Sequence, residues 1–315
     1  FVILDEKRHV LTMNNAARAM FCITNDPVGQ PMIAVSRDEA LLRLLDGQGT
    51  ECAMQLNGMT IHLSRSHVEG GGTALLMQDV TAAQAAEASR RQFSANVSHE
   101  LKTPLTSISG YAELIETGIA KPADVPEFGR KIHVEASRMI QLVNDILQLS
   151  HLDNVSESHD SPQMETVDLL DVAKECVERQ KVNAQKSFIS LTYIGESAPI
   201  LGSRSLLDEL CQNLCDNAIR YNHPGGKVQL ITACARDGHC SLTVKDNGIG
   251  IPKEAQSSVF ERFYRVDKSR SKATGGTGLG LAIVKHIARI HNARIKLESQ
   301  VDVGTTITVT FPTAS

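Results

Sequence analysis

The stretch Phe93-Ser94-Ala95-Asn96-Val97-Ser98-His99-Glu100-Leu101-Lys102-Thr103-Pro104-Leu105 places a histidine on the wet side of a helix. Apolar residues recur at 93, 97, 101, 105, 108, 112 and 115, the three-and-four spacing of an amphipathic helix. Val97 and Leu101 mark the core side, so His99 is turned roughly 200° from it at about 100° per residue. An exposed imidazole offers a free ring nitrogen and can act as a nucleophile. Glu100 beside it can orient the ring or take its proton, and Thr103 lies one turn on, on the same side. Pro104 lacks an N–H and is expected to kink the helix just past the histidine.

A chain of 315 residues implies two or three domains. With 42% hydrophobic and 22% charged residues it reads as folded and globular, and a net charge of −4 gives no nucleic-acid footprint. Seven cysteines without framework spacing read as reduced thiols. Cys211 and Cys215 stand four apart in a helical stretch, but no further Cys or His cluster completes a metal site. No run of 18 apolar residues is found, so no segment is expected to span a membrane. The sequence starts at Phe1 inside a strand pattern, which reads as a cytoplasmic fragment whose parent is anchored, if at all, through an N-terminal segment outside it.

Working outward, residues 1–81 read as a small α/β domain. Strands are expected at 1–4, 10–13, 51–56, 59–66 and 73–79, with Asn57-Gly58 as a hairpin turn and helical patches at 14–21 and 37–45. The segment Leu4-Asp5…Asn14-Asn15-Ala16-Ala17 and the closing Gln78-Asp79-Val80-Thr81 resemble a PAS domain, short for its kind. Residues 82–160 read as a helix running through His99 to about Gly118, then a connector with Pro122 and Pro126. A second helix follows to about Asp153, and the polar run 154–162 is a linker. Each helix carries one apolar stripe, so two copies forming a four-helix bundle are the expected way to bury both. Residues 161–315 read as a mixed sheet covered on one face by helices near 168–186, 203–221 and 277–291. Its strands are expected near 188–194, 227–235, 240–245, 293–299 and 305–311.

Three motifs in this last segment carry chemistry. Glu209, Asn213 and Asn217 fall on one helical stripe, and amide oxygens there suit Mg²⁺. Asp246-Asn247-Gly248-Ile249-Gly250 follows a strand; its glycines let backbone approach a planar ligand, and the carboxylate can accept from an exocyclic amine. Phe260-Glu261-Arg262-Phe263-Tyr264-Arg265 leads into the charged loop 267–274, expected to be a mobile lid, and then Gly276-Thr277-Gly278-Leu279-Gly280 opens a helix. Bare N–H groups at a helix start attract phosphate. Neither a Walker loop nor a Rossmann fingerprint is present.

In this order and spacing the motifs resemble those of bacterial two-component sensor histidine kinases, closest in look to the phosphate-regulon or cell-wall-sensing type. The fold implied is multidomain α+β: a PAS-like sensor domain, an antiparallel two-helix hairpin that dimerises, and a C-terminal two-layer α/β sandwich of the Bergerat (GHKL) ATPase type. The resemblance implies that His99 accepts the γ-phosphoryl group of ATP with Glu100 as general base. Asn217 and Asn213 would hold Mg²⁺, Tyr221 would stack on the adenine and Asp246 would read its amino group. Arg220, where the family usually has Lys, would touch phosphate, as would Arg265, Arg270 and the turn from Gly276 through Thr277, Gly278, Leu279 and Gly280. Gly248 and Gly250 would let the backbone approach. Thr103 would help the kinase dephosphorylate its partner, a response regulator receiving the phosphoryl group on an aspartate. A non-catalytic dimeric PAS adaptor with a decayed kinase domain, or another Bergerat-fold ATPase, are the alternatives.

Overall fold

Alternating apolar residues build the first of two compact units, Phe1–Ala95. The structure, a computed structural model, describes residues 1–68, 71–157, 162–266 and 276–313. Strands β1 (Val2–Leu4), β2 (Val10–Met13), β3 (Glu51–Leu56), β4 (Met59–Val68) and β5 (Gly72–Asp79) pair antiparallel in the order β2-β1-β5-β4-β3. Helices α1 (Asn15–Met20), α2 (Met32–Val35) and α3 (Glu39–Leu45) lie between β2 and β3 in sequence. Asn14 and Asp38 cap α1 and α3 through side-chain oxygens. Leu4, Leu41, Leu44, Ile61, Leu63 and Leu75 are fully buried and form the core. The four-residue α2 was not expected, being too short to leave a periodic signal.

The second unit, Asn96–Ser315, joins a helical hairpin to an α/β layer. Helix α4 (Thr81–Glu116) begins in the first unit and carries His99; α5 (Val125–Glu157) returns antiparallel to it. Tyr111 meets Phe128 at 5.3 Å between ring centroids, with the Lys131 ammonium 5.4 Å from the Tyr111 ring, which pins the two helices near their turn. Pro104 is buried inside α4 and does not end it. Helix α5 runs four residues past its expected end, because neither proline nor glycine interrupts the polar run before Pro162. Residues 158–161 of the expected linker lie outside the described residues.

In the α/β layer, β7 (Ser190–Gly195), β9 (Lys227–Cys234), β10 (Cys240–Asp246), β11 (Arg294–Gln300) and β12 (Gly304–Phe311) form one sheet, ordered β11-β12-β10-β9-β7. Only β7 and β9 are parallel. Val228, Leu230, Leu242, Val244, Val309 and Phe311 alternate onto one buried face. Helices α6 (Leu169–Lys186), α7 (Arg204–Arg220) and α8 (Gly280–Ile290) pack with this sheet. A separate pair, β6 (Glu165–Asp168) with β8 (Pro199–Gly202), escaped the sequence reading: four-residue strands are too brief to show alternation.

The expectation that every thiol is free is corrected at Cys234 and Cys240. They are direct cross-strand partners on β9 and β10, with Cα atoms 4.1 Å apart, and form a disulfide. His291, at the end of α8, is a spent histidine: Nδ1 lies 2.8 Å from the Ile287 carbonyl, and Nε2 accepts from the Ser203 N–H at 3.0 Å. Burial lowers its pKa, which suits the neutral ring that this bonding requires. Its ring meets Phe311 edge-on at 6.0 Å. Phe311→Ala should therefore cost the second unit about 3–5 kcal/mol through the cavity left behind. Urea unfolding would register this as a clear fall in midpoint, and an unchanged midpoint would count against a rigid core here.

Candidate functional site

Helix α7 turns Leu207, Leu210, Leu214 and Ala218 into the core and leaves the Glu209–Asn213–Asn217 stripe at the layer's rim. The Asn213 Nδ2 donates to the Glu209 carbonyl at 3.0 Å. Its Oδ1 is thereby aimed at the start of α8: a Cβ added to Gly280 would stand 2.8 Å from that oxygen and 3.7 Å from Asn217 Nδ2. A Cβ on Gly276 would likewise stand 3.0 Å from the Arg220 guanidinium and 3.1 Å from the Tyr221 hydroxyl. The glycine turn thus closes onto all four α7 candidates.

Asp246 ends β10 half-buried, accepting from the Gly248 N–H at 2.8 Å and the Thr305 N–H at 3.2 Å. Burial raises its pKa while those two donors pull it back. Gly248 is needed for close approach, since a Cβ there would collide with the Tyr221 carbonyl oxygen. That same oxygen accepts from the Ile249 N–H at 3.1 Å, bringing Tyr221 and Asp246 to one wall. Gly278 adopts φ +75°, a left-handed conformation that glycine takes without strain, and its carbonyl accepts from the Phe263 N–H at 2.9 Å. This sets the glycine turn beside Arg265, whose Cγ lies 3.3 Å from where a Gly278 Cβ would be.

Not every expected residue points into this space. Leu279 is fully buried in the core, and Gly250 packs on the Gln300 backbone. Thr277 gives its hydroxyl to Asp145 of α5 at 2.6 Å. Arg270 and the expected lid, 267–274, lie outside the described residues.

On the hairpin, His99 and Thr103 are exposed, and the Thr103 hydroxyl donates to the His99 carbonyl at 3.3 Å. Glu100 is half-buried and pairs with Arg138 of α5 at 3.5 Å. Arg265 lies within electrostatic reach of Glu100, Arg138, Tyr221 and Arg220, and burial lowers its pKa. Among the described residues, buried Arg265 Nε and Nη2 and Glu209 Oε1 make no hydrogen bond. Two orphaned guanidinium nitrogens beside a bare glycine turn fit an anionic, phosphate-bearing ligand. The amide oxygen of Asn213, turned to the start of α8, is a donor of the kind a hard divalent cation takes.

The sequence reading missed the α5 contributors. Asp145 accepts from Gln141 at 2.6 Å as well as from Thr277, and Asp153 takes two bonds from Arg262 at 2.8 and 2.9 Å. A signal was present: Asp145 interrupts the apolar run Leu142, Ile146, Leu149, where a solvated acid has no place.

A glycine turn over an asparagine helix, in one unit with an exposed histidine on a helical hairpin, is the arrangement the comparisons bear on. Residues 202–315 match the family model of histidine kinase-, DNA gyrase B- and HSP90-like ATPases, and residues 89–155 match the His Kinase A phospho-acceptor domain. The chain is 44% identical to the sensor-like histidine kinase SenX3 of Mycolicibacterium smegmatis, over 72% of its own length and 58% of that relative's. It is 34% identical to a sensor protein kinase WalK of Staphylococcus aureus, over 99% of its own length and 77% of the relative's. A solved structure of histidine kinase ThkA in complex with response regulator protein TrrA shares the fold, with TM-score 0.57 at 18% identity over 99% of this chain and 94% of that one. The chain belongs to the sensor histidine kinases. It spans little more than half the length of most of these curated relatives. No helix among the described residues is long and apolar enough to cross a membrane.

Burial pushes Glu209 up to about 7, repulsion from Asp145 adding to it and a Gln148 hydrogen bond opposing it. A raised carboxyl contributes stability that is full below its unfolded value, near 4.5, and lost as pH rises through about 7. The wild type should therefore lose thermal stability between pH 5 and pH 8 more steeply than Glu209→Gln, which cannot ionise. Parallel melting profiles across about that range would refute burial as the cause.

Proposed function

We propose that this chain transfers the γ-phosphoryl group of ATP to His99 and then to an aspartate on the receiver domain of a response regulator. One observation carries the reading: the glycine turn closes onto Asn213, Asn217, Arg220 and Tyr221 while Arg265 reaches the charge field of Glu100, beside His99. A ring nitrogen of His99 attacks the γ-phosphorus; the bond from that phosphorus to the bridging oxygen breaks, and ADP leaves. Glu100 takes the ring proton. Tyr221 and Asp246 hold the adenine, and Arg220, Arg265, Arg270 and the N–H groups of the 276–280 turn hold phosphate. Asn217 with Asn213 would hold Mg²⁺, which supplies charge neutralisation on the phosphates.

The working domains in this reading are 1–81, a PAS-like sensor; 82–160, dimerisation and phosphotransfer; and 161–315, ATP binding. The antiparallel five-stranded sheet with its inserted helices supports the first. Leu105, Ile140, Val143 and Leu147 are exposed on the hairpin, an apolar face that a second copy would cover in a homodimer. The regulator-bound ThkA structure supports a receiver partner, and Thr103 would orient a water during dephosphorylation of that partner. With ATP as the phosphoryl donor, the reaction in this reading is cytoplasmic.

His99→Gln should abolish acid-labile, base-stable ³²P incorporation while leaving the affinity for a fluorescent ATP analogue near wild type. Asn217→Ala should instead act at the binding step, losing most Mg²⁺-dependent binding of the analogue and the labelling that depends on it. Label retained by the first variant, or affinity retained by the second, would overturn the assignment concerned. Thr103→Ala should slow dephosphorylation of the phosphorylated regulator about tenfold to a hundredfold, the worth of one orienting hydrogen bond, and leave autophosphorylation near wild type. An unchanged dephosphorylation rate, followed with ADP and Mg²⁺ present, would reduce Thr103 to a helix residue.

A further inference from the structure

The carboxylate beside the acceptor histidine is not left to find its own orientation. Glu100 projects from α4 with its side chain about one-third exposed, and Arg138 reaches it at 3.5 Å from the opposite helix. The Arg138 side chain is only 16% exposed, so its guanidinium is largely desolvated and needs a partner charge to stay there. Arg265, a second half-buried cation whose Nε and Nη2 make no hydrogen bond, lies within electrostatic reach of both Glu100 and Arg138. One carboxylate thus shares its surroundings with two cations drawn from different layers of the unit.

We propose that Arg138 is a positioning residue for phosphoryl transfer: it holds the Glu100 carboxylate against α5, which leaves the unbonded Arg265 guanidinium nitrogens for a phosphoryl oxygen. The inference rests on His99 and Glu100 acting as acceptor and base. A long carboxylate side chain on an open helix samples several rotamers, and a general base must sit within hydrogen-bond reach of the proton it removes. An ion pair with a buried guanidinium narrows that choice. The planar fork of arginine fixes direction as well as charge, which an ammonium does not. Arg138 also keeps the charge at Glu100 balanced as anionic ATP arrives.

The test uses the full chain with R138Q, R138K and E100Q, and reads the autophosphorylation rate at saturating ATP, the KM for ATP and the dimer mass. R138Q should lower the rate about 10- to 100-fold with KM within about twofold of wild type and the dimer intact. R138K should recover part of that loss. R138Q combined with E100Q should be no slower than E100Q alone, because the arginine acts through the carboxylate. Should R138Q fail to dimerise, R138K alone and with E100Q carries the same comparison. A rate near wild type, a loss expressed mainly in KM, or a further loss on top of E100Q would each overturn the proposal. The underlying reading fails separately, if wild type takes no label or His99→Gln keeps it.

Discussion

A buried bond between the Asp145 carboxylate and the Thr277 hydroxyl ties the ATPase layer to the helical hairpin. Asp145 is 7% exposed, and burial raises its pKa against the pull of its two side-chain donors. Withdrawing a carboxylate from water is expensive, so the site holds only because Thr277 and Gln141 both donate to it. Leu149 and Leu152 are buried on the same helix, where α5 packs on α8, and each contributes about 1.5–3 kcal/mol of apolar burial. The anchored residue belongs to the turn that must also meet Asn213, Arg220, Tyr221 and Phe263. One contact therefore sets both where the layer docks and how its glycine turn is presented.

Where local pattern decided structure, the sequence was readable. The strands at 227–234, 240–246 and 304–311 alternate over most of their length, and the helix of Asn213 and Asn217 follows its stripe, so each lies within a residue or two of expectation. The pair β6 and β8, the single-turn α2 and the Cys234–Cys240 bond left too little periodic signal, or depended on register across strands. The site divides the same way. Motif order singles out Asp246, the glycines and His99 as candidates, because each would carry its chemistry locally. Asp145 with Thr277, 132 residues apart, and Arg138 with Glu100 arise from helix packing that no spacing rule reports.

Three histidines show how surroundings allocate one side chain to different work. His291 has both ring nitrogens engaged by backbone and is sealed in the core, where it joins the ends of α7 and α8. His286 is half-buried beside Arg262 and Asp153, and desolvation lowers its pKa, so it serves the docking cluster. His99 alone of these stands exposed on a helix face, with a carboxylate as its chain neighbour. The same ring is a strut, a packing partner or an open, accessible group according to what covers it.

The outer strand β11 bears on how copies of the chain meet. Arg294, Lys296, Glu298 and Gln300 are its exposed residues, and Lys296 and Glu298 pair at 3.0 Å. A sheet rim offers unpaired backbone groups to any passing strand, and a row of charges makes docking there unfavourable. Strand addition is thus discouraged along this border, whatever surface a second copy would use. A rim of charges makes the sheet a poor template for its own kind.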